Sequence, residues 1–159
     1  MGSHSAGEAF VLINPGALQE IALPPFAIGT SVSVSARGLA DGQAAPVVRV
    51  VTGEAMRPPS PSDLAAVIAA DGGLSVNWVR RSRLGWMWPA GTEVPLGESA
   101  ERYRVDVQGS AGSLTFGALE PQITIPVEAL TGMTGAVSIN VVQIGDFAES
   151  RPATISLTI

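Results

Sequence analysis

The stretch Leu74–Arg83, LSVNWVRRSR, decides the predicted fold. Its apolar residues alternate with Ser75 and Asn77, which is the two-residue period of a strand with one buried face. Trp78 is the largest apolar side chain in any regular strand pattern of this chain, so we expect it to anchor a hydrophobic core. A cluster of arginines closes the stretch and leads into the longest irregular segment of the sequence.

Strand patterns continue on both sides of this anchor. Alanine-rich Asp63–Ala69 is compatible with a helical turn, but its short length and the flanking Pro61 favour a strand. Short strands separated by Gly, Pro, Ser and Asn turns predict an all-β fold, a seven-stranded antiparallel sandwich. The seven predicted strands are Asp63–Ala69, Leu74–Trp78, Glu101–Gln108, Ser113–Gly117, Gln122–Val127, Ala136–Ile144 and Ala153–Ile159.

The remaining sequence predicts three further segments. Residues 1–5 (MGSHS) are interpreted as an expression scar, and they include His4, the only histidine. Residues 6–56 are predicted to form a small β segment with too little apolar bulk to fold alone, so it ends a preceding β domain or packs on the C-terminal domain. Residues 57–62 are predicted to be a proline-rich linker, and residues 63–159 the sandwich. The strands predicted in the small β segment are Ala9–Asn14, Gln19–Leu23, Thr30–Ala36 and Pro46–Thr52.

Composition excludes several classes of protein. The chain has 159 residues, of which 46% are hydrophobic, so a packed core is expected rather than disorder. A net charge of −5 argues against general affinity for nucleic acid or anionic membranes. No apolar run reaches the roughly 18–20 residues of a membrane span. Cysteine is absent, which excludes disulfides and thiolate chemistry.

Catalytic chemistry finds little support in the sequence. Without lysine, cysteine or a histidine other than His4, catalytic triads, histidine metal clusters and Schiff bases are not expected. Glu98 and Glu101 could in principle form a glycosidase pair, but carboxylates three residues apart more often are solvated or pair with arginine. Asp41 and Asp146 lack the spacing of a calcium loop. We therefore expect a non-catalytic chain with no cofactor and no metal site.

The arginine cluster has two interpretations. Arg80 is expected on the Trp78 face of the strand and Arg81 opposite, while Arg83 lies further into the loop. In the first interpretation these arginines clamp the following loop through Glu98 and Glu101, because guanidinium groups leaving a core need carboxylate or carbonyl partners. In the second, they form a basic patch that binds a partner or an anionic glycan.

The loop itself carries a second candidate site. Leu84–Ala100 has no periodicity and is long for a connection in a compact domain. Trp86 and Trp88 could form an exposed platform on which a sugar stacks, as in carbohydrate-binding modules. Alternatively they fold back and cover one end of the sandwich, because exposed adjacent aromatic residues favour aggregation.

Two spaced motifs resemble a known domain family. Pro58–Leu64, followed by a glycine turn and Leu74–Trp78, resembles the first two strands of a fibronectin type III domain. In that family a proline-flanked first strand leads to a buried tryptophan, and Tyr103 matches the usual third-strand tyrosine. The sequence departs from the family on the sixth strand, where Ile139 or Val141 replaces the usual aromatic residue.

A second resemblance covers more motifs and is strongest over residues 57–159. It is to the C-terminal region of the large tail-tip proteins of bacteriophages and gene transfer agents, also called baseplate hub or host-specificity proteins. The matching motifs are Trp78–Arg83 (W-x-R-R-x-R), Trp88, Val94–Glu98, Glu101–Tyr103, and Val142–Gln143 followed by Gly145.

This resemblance implies a role and a location. The chain would be a non-catalytic structural and interaction module of a virion tail tip, made in the bacterial cytoplasm and preceded in a longer chain by a TIM-barrel-like domain. Its partners would be other tail or baseplate proteins, other domains of the same long chain, or a host-surface glycan. The alternative is a carbohydrate-binding or adhesion module that uses the Trp86–Trp88 loop.

Overall fold

A computed structural model describes residues 21–35, 45–84 and 95–159 of the chain. The chain divides into two compact units, Met1–Thr52 and Gly53–Ile159, called unit 1 and unit 2 below. No helix in the described ranges is long and apolar enough to cross a membrane. The predicted strand Ala9–Asn14 lies outside the described residues.

The described part of unit 1 is a small antiparallel sheet. Strands β1 (Ser31–Val34) and β2 (Val47–Val50) pair so that Val32 lies opposite Arg49. The predicted strand at Gln19–Leu23 is wrong over its described residues 21–23, which form no strand. Two prolines come directly after this segment, and the chain turns instead into a short 3-10 helix, Pro25–Ala27, because proline suits the first turn of a helix and cannot donate to a sheet.

Unit 2 is an antiparallel sandwich of seven strands, which confirms the predicted fold class. One sheet has three strands in the order β3-β4-β7 and the other has four in the order β6-β5-β8-β9. Two 3-10 helices, Glu54–Met56 and Val127–Leu130, complete the unit. The strands are β3 (Ser62–Ile68), β4 (Leu74–Val79), β5 (Tyr103–Gly109), β6 (Gly112–Ala118), β7 (Gln122–Ile125), β8 (Ala136–Gln143) and β9 (Ala153–Thr158).

The core lies between the two sheets and contains the expected anchor. Alternate residues of β4 are buried and the residues between them are exposed, as its sequence period predicts. Trp78 packs edge-to-face on Tyr103 of the facing sheet, with ring centroids 4.9 Å apart and planes at 70°. Buried valines and isoleucines of β5 and β8 line the same core, where Val105 lies opposite Val141. The Trp78–Tyr103 pair therefore joins the two sheets.

The proline-rich segment packs on the sandwich and does not act as a free spacer. Pro58 and Pro61 are buried, and a Cβ added to Gly145 would lie only 2.8 Å from Pro58 Cδ. Arg57 donates a hydrogen bond to the backbone carbonyl of Glu149. The structure therefore places residues 57–62, predicted to be a linker, within unit 2, because prolines have no N–H to satisfy and can be buried against a glycine.

A bulge in the first strand of the sandwich is not signalled by the sequence pattern. The register of β3 against β4 shifts between Ser62 and Ala65. Asp63 within the bulge has φ +49°, the one non-glycine residue with positive φ in the described ranges. Aspartate tolerates this backbone conformation better than most residues, so the bulge can form without glycine.

Truncating the core anchor tests the sandwich. We expect Trp78→Ala to lower the free energy of unfolding by about 3–5 kcal/mol, because it leaves a cavity between the sheets and removes the contact with Tyr103. Val79→Ala, on the exposed face of the same strand, is the control and should cost less than about 1 kcal/mol. Urea unfolding followed by circular dichroism measures both, and equal losses would contradict this packing.

A buried amide, that of Gln143, is a position where substitution should raise the free energy of unfolding. The side chain of Gln143 is fully buried, yet neither its oxygen nor its nitrogen has a hydrogen-bond partner among the residues that the structure describes. Burying an unpaired amide is costly, so Gln143→Met, with similar volume, should raise the free energy of unfolding by about 1–2 kcal/mol. A loss of stability in the same urea experiment would show that the amide is hydrogen-bonded in solution.

Candidate interaction site

The candidate residues cluster at one end of unit 2, which we call the arginine end. There β4, β6 and β8 end and β3, β5, β7 and β9 begin, since Ser62 lies opposite Val79 and Tyr103 lies opposite both Ala118 and Gln143. Backbone bonds continue the pairing past the strands, because Trp78 N donates to Pro121 O at 3.0 Å. The described segments at this end are residues 53–61, which lead into β3, and the connections 80–84, 95–102, 119–121 and 144–152.

An ion pair joins the two ends of the connection between β4 and β5. Arg83 Nε donates to Glu98 Oε1 at 2.8 Å, and Arg83 Nη2 donates to the Gly97 carbonyl at 2.6 Å. The Glu98 side chain is only 1% exposed and that of Arg83 is 23% exposed. A carboxylate so deeply buried needs a cation and further donors, and Arg83 supplies the cation.

The second oxygen of the same carboxylate holds a different loop. Glu98 Oε2 accepts a hydrogen bond of 2.9 Å from the backbone N–H of Asp146, in the connection between β8 and β9. In return the Asp146 carboxylate accepts hydrogen bonds from Ser99, through the backbone N–H at 2.9 Å and through the hydroxyl. Arg83, Glu98, Ser99 and Asp146 therefore form a reciprocal contact between two loops, which we call the loop clamp.

Backbone geometry next to the clamp requires glycine. Gly97 has φ +79°, and a Cβ there would lie 3.2 Å from Ser82 Oγ and 3.3 Å from Leu84 Cγ. Ser82 is buried, and its hydroxyl accepts a hydrogen bond from Leu84 N at 3.2 Å. Gly97 thus lets the chain turn against Ser82 and deliver Glu98 to Arg83.

The remaining predicted residues have separate positions. Arg80 is half-buried and Arg81 is exposed. Glu101 accepts a 2.7 Å hydrogen bond from the Tyr103 hydroxyl, whereas Glu98 is the carboxylate paired with arginine. Burial, reinforced by this bond to Glu101, raises the pKa of Tyr103 above the range in which phenols normally ionise. Trp86 and Trp88 lie outside the described residues.

A second charged network was not predicted from the sequence. Arg104, near the start of β5, pairs with Asp106 at 3.1 Å and with Glu149 at 2.5 Å. Hydrogen bonds to these two carboxylates raise the pKa of Arg104. Arg57 pairs with Glu54 at 3.0 Å, which lowers the pKa of that carboxyl. The alternation of β5 placed Arg104 on the outer face, but no local signal pointed to Glu149, which comes from a distant loop.

The two carboxylates considered for glycoside hydrolysis hold parts of the domain together. Glu98 and Glu101, the pair considered for glycoside hydrolysis, are each occupied by donors of the same domain. Within the described residues there is no cluster of three or more His, Cys, Asp or Glu side chains that could hold a metal ion.

Comparison with solved structures identifies the fold. The chain is similar to the extracellular region of rat CD45, domains d3–d4, with 11% identity, a TM-score of 0.50 and coverage of 100% of this chain and 79% of that chain. It also matches the fibronectin type-III domain of human fibronectin type III domain containing protein 3, with 15% identity, a TM-score of 0.41 and coverage of 64% of this chain and 84% of that one.

A third similar structure is that of chicken CNTN1 FN1–FN3 domains, with 13% identity, a TM-score of 0.43 and coverage of 74% of this chain and 36% of that chain. No protein-family model matches the sequence, and neither does any curated protein. The fibronectin type III-like fold predicted from the proline, tryptophan and tyrosine motifs is confirmed.

Removing the central carboxylate tests the loop clamp. We expect Glu98→Ala to destabilise unit 2 by about 2–3 kcal/mol, because it leaves Arg83 without its partner and the Asp146 N–H without its acceptor. Glu120→Ala is the control, since Glu120 is exposed and, within the described ranges, accepts a hydrogen bond only from Gln122. Hydrogen exchange should show faster exchange at the Asp146 amide in Glu98→Ala alone. Unchanged exchange and stability would argue against the clamp.

Acid should weaken the loop clamp by protonating the Asp146 carboxylate, which accepts hydrogen bonds from Ser99. Hydrogen bonds from Ser99 hold the pKa of Asp146 below its usual range. A lowered folded-state pKa stabilises the fold at higher pH, and that contribution is lost as pH falls through the folded-state value, below about pH 4. Between about pH 5 and 2, wild type should lose more stability than Asp146→Asn. Parallel pH profiles of the two proteins would contradict this assignment.

The predicted sugar platform has its own test. If Trp86 and Trp88 stack on a glycan, titration with a glycan panel should change tryptophan fluorescence in wild type, and Trp86→Ala/Trp88→Ala should abolish the change. Trp78 is buried in the core, so it serves as an internal reference. A flat response in wild type across the panel would rule out this use of the loop.

Proposed function

We propose that this chain is a non-catalytic structural and interaction module of a phage-like tail tip. The fibronectin type III-like sandwich supports the general part of this proposal. The tail-tip assignment is supported by the resemblance of the W-x-R-R-x-R run Trp78–Arg83, together with Glu101–Tyr103 and Val142–Gln143, to tail-tip proteins.

The observation that carries the proposal is the loop clamp. The Glu98 carboxylate binds Arg83 with one oxygen and the Asp146 amide with the other, so two loops are fixed to one another. Fixed loops suit a module that makes lasting contacts in an assembly, because less entropy is lost when a preorganised surface is bound. Arg83 and Glu98 belong to motifs that resemble those of tail-tip proteins, and in this sandwich they hold the two loops together.

The proposed partners are other tail or baseplate proteins or other domains of a longer chain. A host-surface glycan remains a proposed ligand only through the Trp86–Trp88 loop. The proposed location is the tip of a virion or phage-like tail, after synthesis in the bacterial cytoplasm. No cofactor, nucleic acid or membrane insertion is needed for this role.

Localisation within particles tests the proposal. An epitope tag is added after Ile159, which comes just after β9, and particles from the producing bacterium are purified and labelled with gold-conjugated antibody. We expect gold at the tail tip and a band of the tagged protein in the particle fraction. Particles with tails that lack the protein, or gold along the tail tube or capsid, would contradict the proposal.

A further inference from the structure

Strand β6 forms an open edge of the four-stranded sheet. It pairs with β5 on one side, and no other strand in the described ranges pairs with its second side. Along an antiparallel strand, alternate residues direct their backbone N–H and C=O groups away from the neighbouring strand. The outer side of β6 therefore presents a row of donors and acceptors that can pair with one more strand.

The sequence of β6 contains none of the features that normally protect an edge. Gly112–Ala118 (GSLTFGA) has no charged residue and no proline. Its register against β5 is continuous along the whole strand, without a bulge. Natural edge strands are usually kept from pairing by charges, prolines, bulges or short length. At seven residues, β6 is long enough for stable pairing, and nothing in its sequence blocks it.

The other edges of the sandwich are protected. Strand β3 carries the bulge at Asp63 and lies beside β9, so these two edges shield each other. Strand β7 has only four residues, with Pro121 directly before it and Pro126 directly after it. Among the described strands of unit 2, β6 is therefore the edge at which a further strand can be added.

The residues of β6 complement themselves in an antiparallel pair. In a pair centred on Thr115, the two Thr115 residues lie opposite each other, and Leu114 of each copy lies opposite Phe116 of the other. Leu114 and Phe116 are half-buried against the core, so pairing them covers apolar surface that remains exposed in one copy. Apolar pairs and threonine pairs are both favourable across strands, and no like charges oppose each other.

Residues next to the edge favour the same pair. Leu119 directly follows β6 and is 74% exposed, and this pairing brings it level with Ala111 of the second copy. A Cβ added to Gly117 would meet no atom within 4 Å, so the outer face is open there to a second backbone. Beside the edge, Arg104 and Asp106 of β5 form an ion pair at 3.1 Å, which limits the charge that two copies would bring together.

We propose that two copies of this chain associate through β6, as an antiparallel pair with its two-fold axis at Thr115. The four-stranded sheets of the two copies then form one continuous sheet. Two-fold dimers, in which the same surface of each copy pairs with itself, are the commonest oligomers. A single strand edge covers less than the about 1,200–2,000 Å² of a standard interface, so the association is weak. This inference goes beyond the tail-tip role and does not depend on it.

Sedimentation of the full chain measures the association. Between about 10 µM and 1 mM, wild type should shift from monomer toward dimer. Thr115→Lys should weaken the dimer at least about fivefold, because the two lysines would lie directly opposite each other. In the monomer, the lysine can pair with Asp106, which now accepts a hydrogen bond from the Thr115 hydroxyl. Thr124→Lys, exposed on edge strand β7, is the matched control and should leave the association unchanged.

Single cysteine substitutions test the register. The chain has no cysteine, so one introduced thiol can form a disulfide only with a second copy. Directly opposite residues of an antiparallel pair have Cα atoms about 4.5–5.5 Å apart, which suits a disulfide. Thr115→Cys should therefore crosslink under mild oxidation. Ser113→Cys should not, because the two equivalent positions lie about 14 Å apart along the pair.

Three results would overturn the proposal. These are a wild-type chain that stays monomeric up to about 1 mM, equal weakening by Thr115→Lys and Thr124→Lys, and equal crosslinking of Thr115→Cys and Ser113→Cys. Thermal unfolding shows whether each variant folds, and the wild-type measurement needs no variant. A monomeric chain that instead binds an extended peptide through β6 would assign this edge to a strand of another protein. Gold labelling at the tail tip is independent of these outcomes, so failure of this inference is distinguishable from failure of the proposed function.

Discussion

The buried carboxylate of Glu98 is the interaction on which the organisation of the loops depends. One of its oxygens accepts from the Arg83 guanidinium and the other from the Asp146 backbone, and water hardly reaches the side chain. A charge in this position would be strongly destabilising without both partners. Because its partners belong to different loops, satisfying one carboxylate fixes the relative position of two connections.

Beneath these loops, the sandwich supplies a rigid base. Trp78 and Tyr103 meet edge-to-face across the core, and the strands that carry them continue directly into the connection closed by the clamp. The Tyr103 hydroxyl also binds Glu101, so the same ring contributes to the core and to the charged end. Packing, ion pairing and backbone geometry at Gly97 therefore support one arrangement, which is the consistency expected of a well-defined native state.

Much of this could be predicted from the sequence because the strands have one buried face. The alternation in Leu74–Val79 and in β5 indicated the strands, the core residues and the outward position of Arg104. The pairing of Arg83 with Glu98 could be inferred from the need of a guanidinium for a carboxylate close to it in the chain. By contrast, Asp146 and Glu149 reach the site through the tertiary fold, so no spacing in the sequence pointed to them.

Two other predictions failed or changed for local reasons. Gln19–Leu23 reads as apolar and extended, but the prolines directly after it favour a 3-10 turn over a strand in the described residues. The prolines of 57–62 read as a spacer, although their apolar rings can also pack, and Pro58 does so against Gly145. Composition alone does not separate a stiff linker from a stiff segment that lies on a surface.

A double-mutant cycle on Arg83 and Glu98 tests the central claim, that one carboxylate couples two loops. Arg83→Gln, Glu98→Gln and the double variant are compared by hydrogen exchange at the Asp146 amide, which belongs to the loop that neither substitution alters. We expect a coupling free energy of at least about 1 kcal/mol, because contacts within one network are not additive. Additive effects at that amide would show that Arg83 does not act through Glu98, and they would contradict the coupling of the two loops.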